Sequence, residues 1–282
     1  MQLHLVSPNE RGNRGSLRID GPLASRHRAR IIEGGDELII LSHGLGTDQS
    51  AWREIVPGLL DRFTVILYDL PGAGPLLPAE FSPADYGSIS VFADDLLNLI
   101  EEIGVESCHY LGHSVSGMIG VLAAIEAPSK FKRLVLLNAS PRYLDDVGYI
   151  GGFRQEDLEG LFSAMSGNYQ AWVAGFAPMV IAEDVPAAVQ EFSSGLLAMR
   201  PDVTSRITRM IFESDVRALL PLLTVPTLFI HSKGDVAVPE EVGLYLHQNV
   251  PGSDLVWIEA RGHLPHLSAP DELNRILKDN LA

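Results

Sequence analysis

Strand-length apolar runs separated by amphipathic stretches dominate this chain and leave few folds open to it. Glu37–Leu41, Phe63–Tyr68, Cys108–Leu111, Arg133–Leu137, Pro226–Ile230 and Leu255–Ile258 are short runs rich in aliphatic and aromatic residues. They are mostly apolar, which marks buried strands, as in parallel sheets. Helical spacing returns between them. Asp48 stands ready to cap a helix carrying Trp52, Ile55 and Leu59, and Val91, Leu96, Leu97, Leu99 and Ile100 share a stretch ending at Ile103. Met118–Ile125 and Leu273–Leu281 complete the series. The alternation predicts a mostly parallel central sheet flanked by helices on both faces.

The alternation stops between Arg142 and Leu220. Leu158, Leu161, Phe162 and Met165 fall at helical spacing, as do Val185, Val189, Phe192 and Leu196, and then Val203, Ile207, Met210 and Ile211. A helical lid over residues 142–215 is therefore expected, inserted into an α/β core made of residues 26–141 and 216–282. Residues 1–25 are expected to form a flexible extension, because Arg11, Arg14, Arg18 and Arg26 stand in a polar stretch with no apolar period. That stretch lacks the apolar region of a secretory signal, although its arginine content suits an organelle-targeting segment.

The 282 residues carry a formal charge of −15, which disfavours nucleic acid and anionic membranes as partners. No apolar run reaches the roughly 18 residues of a membrane span. Cys108 is the only cysteine, so no intrachain disulfide can form. The nine histidines show no metal-ligand spacing, so no metal and no cofactor is expected. Gly72-Ala-Gly74 lacks the third glycine of a dinucleotide loop and is followed at once by Pro75.

Chemistry is legible at three strand ends. Gly112-His-Ser114-Val-Ser116 lies between a strand and an apolar helix, the setting of a nucleophile elbow. Ser116 replaces the second glycine of G-x-S-x-G but is still small. A frame centred on Ser116 would put the bulky Met118 at that position, so Ser114 is the better nucleophile. A serine hydroxyl needs a base and the base an orienting acid, here in the chain order Ser, Asp, His. Asp235 follows the strand ending near His231, and His263 follows the strand ending at Ile258. Ser114, Asp235 and His263 are thus the expected catalytic triad of an α/β-hydrolase fold. The backbone N–H groups of Leu45, in His43-Gly-Leu-Gly46, and of Val115 are the expected oxyanion donors. His43 and His266 are expected to be structural, and His113 to line the pocket.

Several stretches go further. His43–Trp52, Gly112–Gly120, Ser140–Tyr143, Gly151–Phe153, Asn168–Trp172, Gly175–Pro178, Met199–Asp202 and Gly262–Pro270 resemble the strigolactone and karrikin receptor hydrolases of plants. The resemblance runs from about Arg28 to the C-terminus. Glu259–His263 is similar, more distantly, to the bacterial stress-signalling hydrolase RsbQ. The resemblance to the plant receptors implies a V-shaped lid of four helices over a deep apolar pocket that binds butenolides and hydrolyses them slowly. It also implies a monomer of cytoplasm and nucleus whose lid, around Gly175 and Pro178, recruits an F-box protein and a repressor. The matching ligand-binding positions are His113, Tyr143, Phe153, Leu161, Trp172, Phe176, Leu197 and Ala237, together with Leu45. Leu45 and Leu197 stand where the family usually has phenylalanine, so a wider pocket is expected. The bare machinery would equally serve a metabolic esterase, a lactonase or a carbon–carbon hydrolase, or survive as a vestige in a binding protein.

Overall fold

The computed structural model describes residues 17–74 and 86–281. One sheet runs through it, built from β1 (Arg30–Ile32), β2 (Glu37–Ser42), β3 (Phe63–Tyr68), β4 (Cys108–His113), β5 (Phe131–Leu137), β6 (Thr227–Ser232) and β7 (Asp254–Ile258). Their spatial order is β1-β3-β2-β4-β5-β6-β7. The short β1 lies antiparallel against β3, and every other pairing is parallel. β3, β4 and β6 are buried along their whole length, the polar residues within them included. Successive residues serve opposite faces. Ile40, Ile66, Tyr110 and Phe229 belong to one core layer, while Ile39, Val65, Leu111 and Ile230 belong to the other.

Helices cover both layers. On the first lie α1 (Pro22–Arg26), α3 (Ile89–Ile103), α4 (Val115–Glu126) and α9 (Glu240–Asn249), and on the second lie α2 (Val56–Leu59) and α11 (Pro270–Leu281). The short α10 (Pro265–Ser268) leads into α11. Almost all of α4 is buried, and it approaches the sheet so closely that a side chain at Gly120 would meet the Tyr110 ring at 2.3 Å. Asp48 does cap, accepting a 2.8 Å bond from the Ser50 N–H. What it caps is a 3-10 turn, Gln49–Trp52, followed by the single turn of α2. Pro57 explains the break, because it has no N–H to continue a longer helix.

The extension expected over residues 1–25 needs correcting at its end. Arg18 donates its N–H to the Ile103 carbonyl, and Ala24 is buried. The Glu102 carboxylate accepts from the N–H groups of Leu23 and Ala24, satisfying donors at the start of α1. Residues 1–16 lie outside the described residues.

Between β5 and β6 the chain forms α5 (Gln155–Gly167), α6 (Tyr169–Ile181), α7 (Pro186–Ala198) and α8 (Pro201–Phe212). They meet the core at the loops that follow β2 and β7. Gly195 of α7 rests on the loop after β2, and a Cβ there would stand 2.1 Å from the Gly46 carbonyl oxygen. That carbonyl is backbone and cannot swing away. Gly195→Ala is therefore expected to cost about 1–3 kcal/mol, as overpacking does. Thermal unfolding checks this: the midpoint should fall by several degrees, whereas Gly160→Ala, at a position with open space around it, should not lower it.

Candidate active site

Three strand ends converge beneath the helical insertion. Ser114 sits between β4 and α4 with φ 57° and ψ −122°, a conformation costly for any residue with a Cβ. Its surroundings enforce that turn. The Ser114 N–H donates to the Leu137 carbonyl at 2.9 Å, and a side chain at Gly112 would meet the Ser116 carbonyl oxygen at 2.5 Å. Asp235 follows β6 and is held by the N–H groups of Ala237 and Val238, which donate to its Oδ1 at 2.8 and 3.2 Å. His263 follows β7, and its own N–H donates to the Val180 carbonyl of α6 at 2.8 Å.

The three side chains meet. His263 Nδ1 lies 2.7 Å from Asp235 Oδ2, and His263 Nε2 lies 2.8 Å from Ser114 Oγ. A carboxylate only accepts, so Nδ1 carries the proton and Nε2 is left to accept from the serine hydroxyl. The Tyr143 hydroxyl stands 3.3 Å from Ser114 Oγ and is free to donate to it. Burial raises the Tyr143 pKa, which keeps that proton in place. Ser114, Asp235 and His263 are 6%, 6% and 8% exposed, so little water screens the relay.

The loop after β2 faces the elbow. Gly44 has to be glycine, because a Cβ there would meet His113 Nδ1 at 2.6 Å and Ser114 Cβ at 3.2 Å. The N–H groups of Leu45 and Val115 make no hydrogen bond among the described residues, so both donors are unspent. A buried chain of hydroxyls fixes this loop to the elbow. Ser42 Oγ donates to Ser116 Oγ at 2.8 Å, Ser116 Oγ donates to the His43 carbonyl, and the Tyr68 hydroxyl lies 2.7 Å from Ser42 Oγ. The serine standing in place of the second elbow glycine therefore has a bonding task that the motif did not reveal. His43 Nε2 accepts from the Leu70 N–H at 2.9 Å, which ties the loops after β2 and β3 together.

The remaining expected positions divide. Trp172 and Phe176 stack at 4.8 Å, and Tyr143 and Phe153 both pack on Phe212, a ring the sequence did not single out. Leu45 and Leu161 are half-buried against this core, and Ala237 is buried beside Asp235. Two positions need correction. Leu197 is 49% exposed, whereas its neighbour Leu196 is fully buried and would touch a side chain placed at Gly46. One residue of helical phase separates the two, and it carries Leu197 to the outside. His113 is 1% exposed and gives its Nε2 to the His263 carbonyl at 2.8 Å, so it supports the site instead of lining it. An apolar cleft of about 340 Å³, including space open to solvent, opens beside the Leu45 loop. Met199, Ile207 and Met210 line it together with Leu45 and Val115. Among the described residues no group of three or more His, Cys, Asp or Glu could hold a metal ion, and no helix is long and apolar enough to cross a membrane.

Residues 39–276 match the profile described as the alpha/beta hydrolase family. The chain is 47% identical to the karrikin insensitive 2 receptor CA of Petunia hybrida, over 91% of this chain and 96% of that protein. It is 46% identical to the strigolactone esterase D14 of Arabidopsis thaliana, over 88% and 94% of the two chains. Among solved structures, a hydrolase from Oleispira antarctica superposes with a TM-score of 0.88 at 30% identity, covering 92% of this chain and 96% of that one.

The histidines near the serine set an acid limit on the fold. Burial pushes the His266 pKa down to about 3 and that of His231 to about 4. His113 is held well below the usual range by burial and by the charges His266 and His263 would carry. Both nitrogens of His231 and of His266 lack a hydrogen-bond partner among the described residues. All three residues are thus neutral when folded and protonate near pH 6.5 when unfolded. The unfolded chain binds more protons below that pH, so stability falls as pH falls from about 6.5 toward 4. Each such histidine contributes a slope of about 1.4 kcal/mol per pH unit. Denaturant unfolding between pH 7.5 and pH 5 should show this loss. His266→Phe, which keeps a ring against Trp52, should flatten the slope by one histidine's share.

Proposed function

We propose that this chain, which belongs to the α/β-hydrolase family and within it to the group of strigolactone esterases and karrikin receptors, is a receptor-type serine hydrolase for butenolide signals. Hydrolysis rests on one observation, the buried Ser114–His263–Asp235 relay with contacts of 2.8 and 2.7 Å. The substrate class rests on identity near 47% that extends through the helical insertion as well as the core.

In the reaction we propose, Ser114 Oγ attacks the lactone carbonyl carbon while its proton passes to His263 Nε2. The Asp235 carboxylate stabilises the imidazolium. The carbonyl oxygen takes the negative charge and is held by the N–H groups of Leu45 and Val115. Collapse of the tetrahedral adduct breaks the ring carbon–oxygen bond, and His263 returns its proton to the departing oxygen. Water, activated by the same histidine, then releases the acid from Ser114. The Tyr143 hydroxyl steadies the serine at the start of this cycle.

The receptor half of the proposal concerns the insertion, which acts as a lid. Gly175, Pro178 and Met179 lie on the exposed side of α6, where an F-box protein and a repressor would be recruited. Leu45, Tyr143, Phe153, Leu161, Trp172, Phe176 and Ala237 form the ligand-binding wall, with the stacked aromatics giving it rigidity.

Intact-protein mass spectrometry after incubation with a panel of butenolides tests the whole reading. A covalent adduct that forms on the wild type and is absent from Ser114→Ala is the expected result, and a panel that leaves no adduct and no hydrolysis product would sink it. Ser114→Ala should lower turnover by several orders of magnitude and still bind the ligand, as tryptophan fluorescence would report. Asp235→Asn should lose roughly 10⁴-fold in kcat while its melting curve stays close to wild type, because asparagine keeps the shape and supports the wrong tautomer.

A further inference from the structure

Asn138 is a buried polar side chain that the proposed reaction does not use. It follows β5 directly, is wholly buried, and sits in the left-handed region with φ 48°. Its backbone N–H donates to the Ile230 carbonyl at 2.9 Å. The side chain reaches two catalytic arms. Oδ1 accepts from the Ser232 N–H at 2.8 Å, and Nδ2 donates to Ser232 Oγ at 3.0 Å, both at the end of β6, just ahead of Asp235. The same Nδ2 donates to the His263 carbonyl at 3.0 Å and, at the longer 3.3 Å, to the Gly262 carbonyl. Its chain neighbour Leu137 accepts the Ser114 N–H. One residue thus touches the segments that carry the acid and the base and adjoins the anchor of the serine.

We infer that Asn138 is a positioning residue that keeps the Asp235 arm and the His263 arm at the spacing proton transfer needs. The inference rests on the reading of Ser114, His263 and Asp235 as the hydrolytic relay. The His263 carbonyl has two lone pairs, and both are taken, one by Asn138 Nδ2 and the other by His113 Nε2. A carbonyl held from two directions fixes the peptide plane, and with it the Cα–Cβ direction that aims the imidazole. Asparagine suits this post twice over: it tolerates left-handed backbone, and its amide offers an acceptor to one arm and donors to both.

Two substitutions separate positioning from mere turn formation. Asn138→Gly keeps the left-handed backbone at ease and removes every side-chain bond. Its expected signature is a kcat lowered roughly 10- to 100-fold on a simple ester, the scale of a small misplacement of reacting groups. KM should stay within about twofold, and fluorophosphonate labelling of Ser114 should slow in step with kcat. Asn138→Asp is isosteric and equally suited to that backbone, but it sets a carboxylate against two carbonyl oxygens. Its rate relative to the glycine variant should rise as pH falls, because a protonated carboxyl regains one donor.

Wild-type kcat in Asn138→Gly would reduce the residue to a turn former and overturn the inference. A pH-independent ratio of the aspartate variant to wild type would do the same should the glycine variant fail to fold. His263→Ala, assayed alongside, distinguishes the underlying reading. Wild-type hydrolysis in that variant would sink the relay itself, whereas loss there with full activity in both Asn138 variants would sink the positioning role alone.

Discussion

A hydrogen bond 2.8 Å long between Ser114 and His263 joins residues 149 positions apart, and in so dry a place it holds only if neither end can drift. Much of the surrounding architecture answers that demand. The parallel sheet brings the ends of β4, β6 and β7 to one side. The serine is pinned by a strained turn and by the Leu137 carbonyl, and the histidine by bonds to its own backbone on both flanks. Low exposure strengthens these contacts and also raises the cost of breaking any one of them. That coupling explains why so many polar groups around the site are bonded to backbone: a backbone partner cannot rotate away.

The core was open to reading from sequence because its periodicities are simple. A strand buried on both faces is apolar at most positions, and Val65–Tyr68 of β3, Tyr110–Leu111 of β4 and Leu228–Ile230 of β6 carry that signal. The elbow was equally legible, since Gly112 and the apolar start of α4 permit little else around Ser114. The insertion was harder. α6 buries Trp172, Val173, Ala177, Val180 and Ile181 on one face, but Ala171, Ala174, Pro178 and Met179 on its exposed side are apolar too, so the two faces differ little in sequence and helical spacing did not mark it. At Leu196 and Leu197 two identical residues compete for one inward position, and only the phase of α7 decides between them. The short β1 and the turn of α1 have too few residues to carry a period, which is why the ordered end of the extension could not be read.

Polar residues deep in the fold followed a different logic. Ser42, Ser116 and Asn138 are ordinary in a sequence, and their importance comes from partners far along the chain. Ser116 bonds across 73 positions and Asn138 across 94 and 125. Nothing local announces such bonds, because hydrogen-bond satisfaction in a core is settled by topology. A serine where an elbow glycine is usual, or an asparagine just past a strand, is visible as an oddity, and the fold alone supplies its reason.

The bond from His263 N–H to the Val180 carbonyl bears on how such a molecule can be remade. Gly262 leaves only 2.1 Å between an added Cβ and the Ile181 carbonyl oxygen, and the Arg261 N–H is received by Glu183 Oε1 at 2.7 Å. The end of α6 and the loop bearing the histidine are therefore one surface shared by two parts of the chain. The insertion is not an interchangeable module that could be excised and exchanged for another while the core kept its chemistry. A graft that omitted this helix end would strip the histidine loop of its receptor, and a graft that shifted it by one residue would press a carbonyl into the wrong peptide. The constraint within the insertion is correspondingly local: a substitution in the last turn of α6 has to keep the Val180 and Ile181 carbonyls where Gly262 and His263 meet them.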